Sequence, residues 1–76
     1  MLDLLEFVVK NIVKNKEDVK IESKEDGRVK VFTVRVNKAD IGAVIGKGGA
    51  TAQAIRTVAK SMNSRERVII KFDSLD

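Results

Sequence analysis

Apolar residues near the start of the chain recur every three or four positions, which is the spacing of one face of a helix. The set consists of Leu5, Val8, Val9, Ile12 and Val13. Charged and amide side chains fill most positions between them, so one side of the segment is apolar and the other is polar. This pattern predicts an amphipathic helix that ends near Asn15.

The spacing then changes to an alternation of apolar or small residues with charged ones, which is typical of half-buried strands. A first strand is predicted on the alternating residues Val19, Ile21 and Ser23. Asp26-Gly27 follows and favours a tight hairpin turn of type I′, and a longer return strand is expected over residues 28–36. The apolar phase of this second strand shifts at Val31-Phe32, so the strand either bulges there or is covered on both faces.

Two helices separated by glycines are predicted in the second half of the chain. Asn37 suits an N-cap, and Asp40 three residues later suits the carboxylate partner of a capping box. A short helix is expected through Ile45, and a longer one over residues 50–62. The residues expected to bury the longer helix are Ile55, Val58, Ala59 and Met62.

Asn63-Ser64 should end the longer helix, and Val68 to Phe72 predicts a last strand. The order along residues 1–76 is therefore helix, strand, strand, helix, helix, strand, in a single domain. The helix pair forms a crossover between the second and third strands, which makes these two strands parallel with a right-handed connection. The hairpin adds an antiparallel neighbour. We expect an α+β fold with a three-stranded mixed sheet and three helices on one face.

The most unusual stretch is Ile45-Gly46-Lys47-Gly48-Gly49, because each of its glycines disfavours a helix by roughly 1 kcal/mol relative to alanine. Glycines at such a place indicate a tight turn or a close approach by another molecule. The second helix begins directly after the loop, and its first amides carry partial positive charge. Lys47 adds a full charge. Together these groups predict an anion site, for which phosphate is the obvious ligand.

Net charge is +4, and the excess of cations is concentrated around this loop. Between residues 38 and 60 the cations Lys38, Lys47, Arg56 and Lys60 stand against the single acid Asp40. Such a patch is the electrostatic footprint expected of a nucleic-acid-binding protein. Charge alone is equally typical of a solvated surface, but its coincidence with the glycine loop favours nucleic acid.

Several function classes lack the residues that they need. The chain has no Cys and no His, which excludes disulfides and thiolate sites and removes the commonest general base and zinc ligand. The pattern places no carboxylate pair in an apolar pocket, so we expect neither an enzyme nor a metal or cofactor site. No apolar run approaches the ~20 residues of a membrane span, and no signal-peptide pattern is present. A cytoplasmic protein is expected.

Two nucleotide-binding motifs also use glycine-rich loops, and neither fits. A P-loop needs four residues between its glycines and a Ser or Thr after its lysine. Here three residues separate Gly42 from Gly46, and Lys47 is followed by Gly48. The dinucleotide fingerprint fails because its glycine spacing differs and no strand–helix–strand unit surrounds the loop.

The order of elements and the Gly-X-X-Gly loop between two helices resemble the KH domain of type II, and the resemblance covers the whole chain. The run from Asp40 to Gly49, continued by Ala54-Ile55-Arg56-Thr57, looks like that of small bacterial proteins with a single KH domain, the KhpA or YlqC-like family. This resemblance implies binding of single-stranded RNA, with the loop clamping the backbone of about four nucleotides. RNA chaperone work or post-transcriptional regulation is implied for the family as well.

The residues expected to contact RNA begin with the loop. The clamp comprises Gly46, Lys47, Gly48 and Gly49. A Cβ on the first or last of these glycines would hold the phosphodiester away from the loop amides. The basic residues expected to assist are Arg28, Lys30, Lys38 and Arg56.

An apolar groove for bases is expected along the short helix. Its members are Ile41, Gly42, Val44 and Ile45, although at least one of the three apolar side chains must belong to the core. The other wall of the groove should be the second strand with the hairpin loop. The chain has three Phe and neither Tyr nor Trp, so stacking of bases on exposed aromatic side chains is not expected.

One face of the longer helix is uncharged and made of small residues, namely Ala50, Ala54, Thr57 and Ser61. Such a face permits close approach by another helix, but it is also what alanine-rich helix propensity produces. The family resemblance implies a homodimer and pairing with a second, longer KH-containing protein. The alternative function is therefore a KH-fold interaction module that acts mainly through such a partner. An intact loop with a lysine near its tip favours RNA.

Overall fold

The computed structural model describes residues 2–62 and 67–75 and confirms the predicted order of helices and strands. The elements are α1 (Leu2–Lys10), β1 (Lys20–Asp26), β2 (Val29–Val36), α2 (Ile41–Ile45), α3 (Ala50–Met62) and β3 (Arg67–Ser74). Single turns of 3-10 helix occur at Lys16–Asp18, Lys38–Asp40 and Lys47–Gly49. The predicted break at Asn63-Ser64 lies outside the described residues, and so does the side chain of Met62.

Strand β2 lies at the centre of a three-stranded sheet of order β1-β2-β3. It pairs antiparallel with β1 and parallel with β3, as the crossover predicted. The register with β1 is unbroken from Lys20↔Arg35 to Asp26↔Val29, so the strand carries no bulge at Val31-Phe32. The apolar phase shifts because Phe32 faces the helices, whereas Val31 lies on the opposite face beside its β3 partner Ile69.

The three helices cover one face of the sheet and share one core with it. The buried side chains that pack together in this core are Leu5, Val9, Val13, Phe32, Val34, Val36, Val44, Ile55, Ala59, Val68 and Ile70. Alternate residues of β2 contribute to this core, since side chains along a strand alternate between faces. The prediction that Val58 belongs to the buried stripe of α3 is wrong, because this side chain is 48% exposed.

Two local predictions differ in detail from the structure. The hairpin forms, but its two-residue loop is Gly27-Arg28, since Asp26 already pairs with Val29. Of these two loop residues only Gly27 has a positive φ (64°), which is the pattern of a type II′ turn rather than type I′. Helix α1 ends at Lys10 rather than near Asn15, although the Val13 amide still donates to the Val9 carbonyl.

The junction between β2 and α2 is hydrogen-bonded to the segment that follows α1, which the sequence did not predict. Asn37 caps as expected, because its side chain accepts from the Ala39 amide at 2.9 Å. The prediction of a capping box with Asp40 is wrong, because within the described residues the Asp40 carboxylate accepts no hydrogen bond from the Asn37 amide. Asp40 is instead 4% exposed and accepts from the Lys14 amide at 3.1 Å and the Asn15 amide at 3.0 Å.

Candidate nucleic-acid interface

The glycine loop is one turn of 3-10 helix between α2 and α3. Gly46, Gly48 and Gly49 all have a positive φ, of 77°, 62° and 80° respectively. Residues other than glycine rarely adopt these φ angles, because their Cβ would come too close to the backbone carbonyl. Lys47 is exposed near the tip of the loop. The sequence prediction of a tight glycine-dependent turn is therefore confirmed.

Two backbone amides of the loop have no acceptor within the described part of the chain. The Gly46 amide donates to Gly42 at 2.9 Å, the Gly49 amide donates to Gly46 at 3.1 Å, and the Ala50 amide donates to Lys47. No hydrogen bond there uses the amides of Lys47 and Gly48. These two adjacent N–H groups and the Lys47 ammonium are the donors that the loop offers to an anion.

Gly46 is glycine for a reason inside the protein. A Cβ at this position would meet the Thr51 side chain and lie 2.8 Å from both the Thr51 Cβ and its backbone nitrogen. A Cβ at Gly48 or Gly49 would have nothing within 4 Å. The sequence did not predict this contact between Thr51 and position 46. The available signal was a β-branched residue in the first turn of the helix that follows the loop.

The short helix α2 presents only part of its predicted apolar groove. Val44 is 0% exposed, so its side chain belongs to the core and has no surface with which to line a groove. Ile41 and Ile45 are half-buried and pack against the core, so each keeps an exposed part. Gly42 is exposed, and a Cβ there would have open space around it.

The sheet strand beside α2 is β3, not β2 with the hairpin as predicted. Lys30 lies six residues before the end of β2, about 20 Å along the strand from the point where the chain leaves for α2. Arg28 lies further away, in the hairpin loop. Lys30 also bridges to Glu25 at 3.6 Å. The structure therefore does not bring Arg28 and Lys30 to the loop, whereas Lys38 is exposed in the turn that precedes α2.

Arg56 lies on α3 and contacts β3. Its Nε donates to the Ile70 carbonyl at 3.2 Å, and its guanidinium carbon lies 5.4 Å from the centre of the Phe72 ring. The side chain is half-buried. It is the one basic candidate whose guanidinium is held in place on the sheet side of α3.

Ala54, on the small-residue face of α3, lines a groove between α3 and α1. Ala50, Ala54, Thr57 and Ser61 are all exposed. The groove has a volume of about 190 Å³ and is lined by Leu4, Leu5, Val8, Ile12, Thr51, Ala54, Ile55, Val58 and Ala59. Its lining contains no charged side chain, and the 66% exposed Phe7 lies on the same helix α1.

The described residues contain neither a membrane-spanning helix nor a metal cluster. No helix within 2–62 and 67–75 is long and apolar enough to cross a bilayer. The same residues contain no group of three or more carboxylate, His or Cys side chains placed to hold a metal ion.

Comparison with known proteins agrees with the geometry. The protein-family model described as KhpA/KhpB, KH domain, matches residues 2–73. The RNA-binding protein KhpA of Chlamydia caviae is 36% identical over the whole of this chain and 97% of its own length. The RNA-binding protein KhpA of Streptomyces coelicolor is 44% identical over 83% of this chain and 80% of its own length.

A solved structure is also similar to this chain. The crystal structure of APE1850 is 36% identical and aligns with a TM-score of 0.60, over 88% of this chain and 49% of that one. The element order, the mixed sheet and the glycine loop between α2 and α3 are those of a type II KH domain. This chain belongs to the KhpA/KhpB family of KH domains.

Proposed function

We propose that this protein binds single-stranded RNA by clamping the phosphodiester backbone at the Gly46–Gly49 loop. The observation that carries the proposal is the pair of adjacent amides on Lys47 and Gly48, which have no acceptor within the described residues. Two N–H groups and an ammonium suit a phosphate, which offers several acceptor oxygens. The relatives named above as RNA-binding proteins support RNA as the source of that phosphate.

The rest of the site receives the bases. Bases leaving the clamp meet the exposed parts of Ile41 and Ile45, while the missing side chain at Gly42 lets a base approach the α2 backbone. The family resemblance implies a site for about four nucleotides. The protein binds and releases RNA rather than changing it chemically, which suits the RNA chaperone or post-transcriptional role implied by the family resemblance.

The clamp is tested by reversing its charge with the double variant Lys47→Asp, Gly48→Asp. Binding of a labelled single strand of about eight nucleotides, enough for one KH site and its flanks, is followed by fluorescence anisotropy across a salt series. We expect the native protein to lose affinity as salt rises, by about 0.7 released counterions per neutralised phosphate. We expect the variant to bind more than about tenfold more weakly, since hydrogen bonds to a charged acceptor are lost.

The hairpin supplies a matched control. Lys24→Asp, Gly27→Asp makes the same two substitutions at an exposed lysine and at a glycine with a φ of 64° and open space. Retained binding by this control, with both variants folded by circular dichroism, assigns the loss to the loop. Equal loss in both variants would instead mean that overall positive charge carries the binding and would contradict a clamp.

A second function rests on the uncharged groove between α1 and α3. We propose that it receives a second copy of this chain, so that two RNA sites act together. Pairing through the groove brings no like charges together, because its lining residues carry none. Two linked sites raise avidity by about 10²–10⁴ where geometry permits. A longer KH-containing family member is the other partner that this surface suits.

Ala54→Glu tests the groove by placing a charge in its wall. We expect the native protein to be a dimer by light scattering at high micromolar concentration and the variant to be a monomer, because a buried unpaired carboxylate is costly. Gln53→Glu is the matched control, since this exposed neighbour does not line the groove. A native protein that is monomeric at this concentration would refute self-association and leave only the longer partner.

A further inference from the structure

The free edge of β3 carries a guanidinium held in a defined position. Strand β3 has β2 on one side, and no strand among residues 2–62 and 67–75 pairs with its other side. The Ile70 carbonyl points to the outer side, because it accepts from Arg56 Nε at 3.2 Å. The same guanidinium lies over the Phe72 ring, which adds a cation–π contact. Two independent contacts therefore orient this side chain.

This arrangement determines what the strand edge offers to a ligand. The Ile70 carbonyl is an acceptor on this edge, and the hydrogen bond from Arg56 occupies one of its lone pairs. The other N–H groups of the guanidinium make no hydrogen bond within the described part of the chain. A guanidinium has five N–H donors and no acceptor. At Ile70 and Arg56 the edge is therefore rich in donors.

The guanidinium is also close to the loop. Arg56 follows Gly49 by seven residues, about 10 Å along the helix axis at the α-helical rise. Gln53 and Lys60 lie three residues before it and four after it, so all three share one flank of α3. A strand of about four nucleotides is long enough to reach from the clamp to this flank.

We propose that Arg56 reads the identity of one RNA base, favouring bases that present two adjacent acceptors. This inference rests on the proposed RNA clamp and adds base preference to it. Guanine presents O6 and N7, and cytosine presents O2 and N3, so each accepts two parallel N–H bonds from one guanidinium. Adenine places its N6 donor beside N7, and uridine places N3–H between its two oxygens. Each of these two bases would therefore place one of its own N–H donors opposite an N–H donor of the guanidinium.

Preorganisation strengthens this preference. A free arginine side chain loses rotamer entropy when it binds a base, but the contacts with Ile70 and Phe72 have already restricted this one. Lysine at the same position would keep the positive charge but lose the planar fork that presents two parallel N–H groups. Replacing Arg56 with lysine therefore separates the effect of positive charge on affinity from the effect of the guanidinium on base preference.

The test uses single-stranded RNAs of about six nucleotides, long enough to fill one site, that differ only in their two central bases. In a uridine background these bases are A, C, G or U, and affinities are measured by competition in fluorescence anisotropy. We expect the C or G oligonucleotide to bind at least about fivefold more tightly than those with A or U, the lower end of what a bidentate pair provides. Comparing the affinities of the C and G oligonucleotides identifies which of these two bases Arg56 binds.

Arg56→Lys should reduce this ratio to about one and leave the salt dependence unchanged, because the charge is retained. Lys60→Gln, on the same flank, should weaken every oligonucleotide equally. Phe72→Leu is a second test, because it removes the ring contact but keeps the arginine. It should also reduce the ratio of affinities between the C or G oligonucleotide and those with A or U. Equal native affinity for all four RNAs, or an unchanged ratio in Arg56→Lys, would overturn base reading alone. No binding to any of them would overturn the clamp as well.

Discussion

Gly46→Ala is expected to lower the free energy of unfolding by about 2–5 kcal/mol, combining the cost of a side chain at positive φ with that of overpacking. The φ of this residue is 77°, and the new Cβ would lie 2.8 Å from two atoms of Thr51, one of which is backbone nitrogen. A domain of this size has a total stability of roughly 4–11 kcal/mol. Urea unfolding at neutral pH, followed by circular dichroism, measures the change.

Two other glycines act as controls for this measurement. Gly48→Ala has a similar φ of 62° but open space, so it should cost only about 1–2 kcal/mol. Gly42→Ala lies in a helix with open space and an ordinary φ, so it should stabilise by up to about 1 kcal/mol. If Gly46→Ala costs no more than Gly48→Ala, the contact with Thr51 is not what requires glycine at this position.

Asp40→Ala is expected to cause the largest loss of stability among the polar side chains of the fold. It removes the acceptor of three hydrogen bonds, from the amides of Lys14 and Asn15 and from the Asn15 side chain. Two backbone amides in the segment that follows α1 would then lack their acceptor. The midpoint of urea unfolding should fall clearly in Asp40→Ala and much less in Asp26→Asn, which changes an exposed carboxylate at the hairpin.

The same carboxylate makes stability depend on pH in a defined direction. Hydrogen bonds from the Asn15 and Lys14 amides lower the pKa of Asp40 below its usual 3.8. A lowered pKa means that the folded state favours the ionised form, so this contribution is complete above about pH 3.8 and disappears as the pH falls through the folded pKa. The difference in unfolding free energy between the native protein and Asp40→Asn should therefore shrink on acidification. A constant difference across that range would contradict this role.

The spacing of apolar residues was enough to predict the helices and strands of this fold and their order. The repeat of three and four residues in α1 and the alternation of β2 are local consequences of which side chains face the core. The crossover rule then made β2 and β3 parallel without any knowledge of contacts. Gly46, Gly48 and Gly49 indicated the turn because positive φ is costly for other residues.

Side-chain partners across the fold were not predictable in the same way. Asp40 looked like a helix cap because the capping pattern is local, but its acceptor role depends on Lys14 and Asn15, more than twenty residues earlier. The sequence pattern does not distinguish Val44 from Ile41 as a residue of the groove. Their positions relative to the sheet decide that Val44 is buried and that Ile41 is half-exposed.

Local patterning thus determines the secondary structure, the strand directions and the glycine loop, because each depends on backbone preferences and on which residues avoid water. Packing in three dimensions determines how these parts meet. It places β3 rather than the hairpin beside α2, sets Thr51 against Gly46, and turns Arg56 onto the Ile70 carbonyl. The contacts of α2 with β3 and of Arg56 with Ile70 join residues far apart in the chain, and the contact of Thr51 with Gly46 depends on how the loop turns, so no short-range period predicts them.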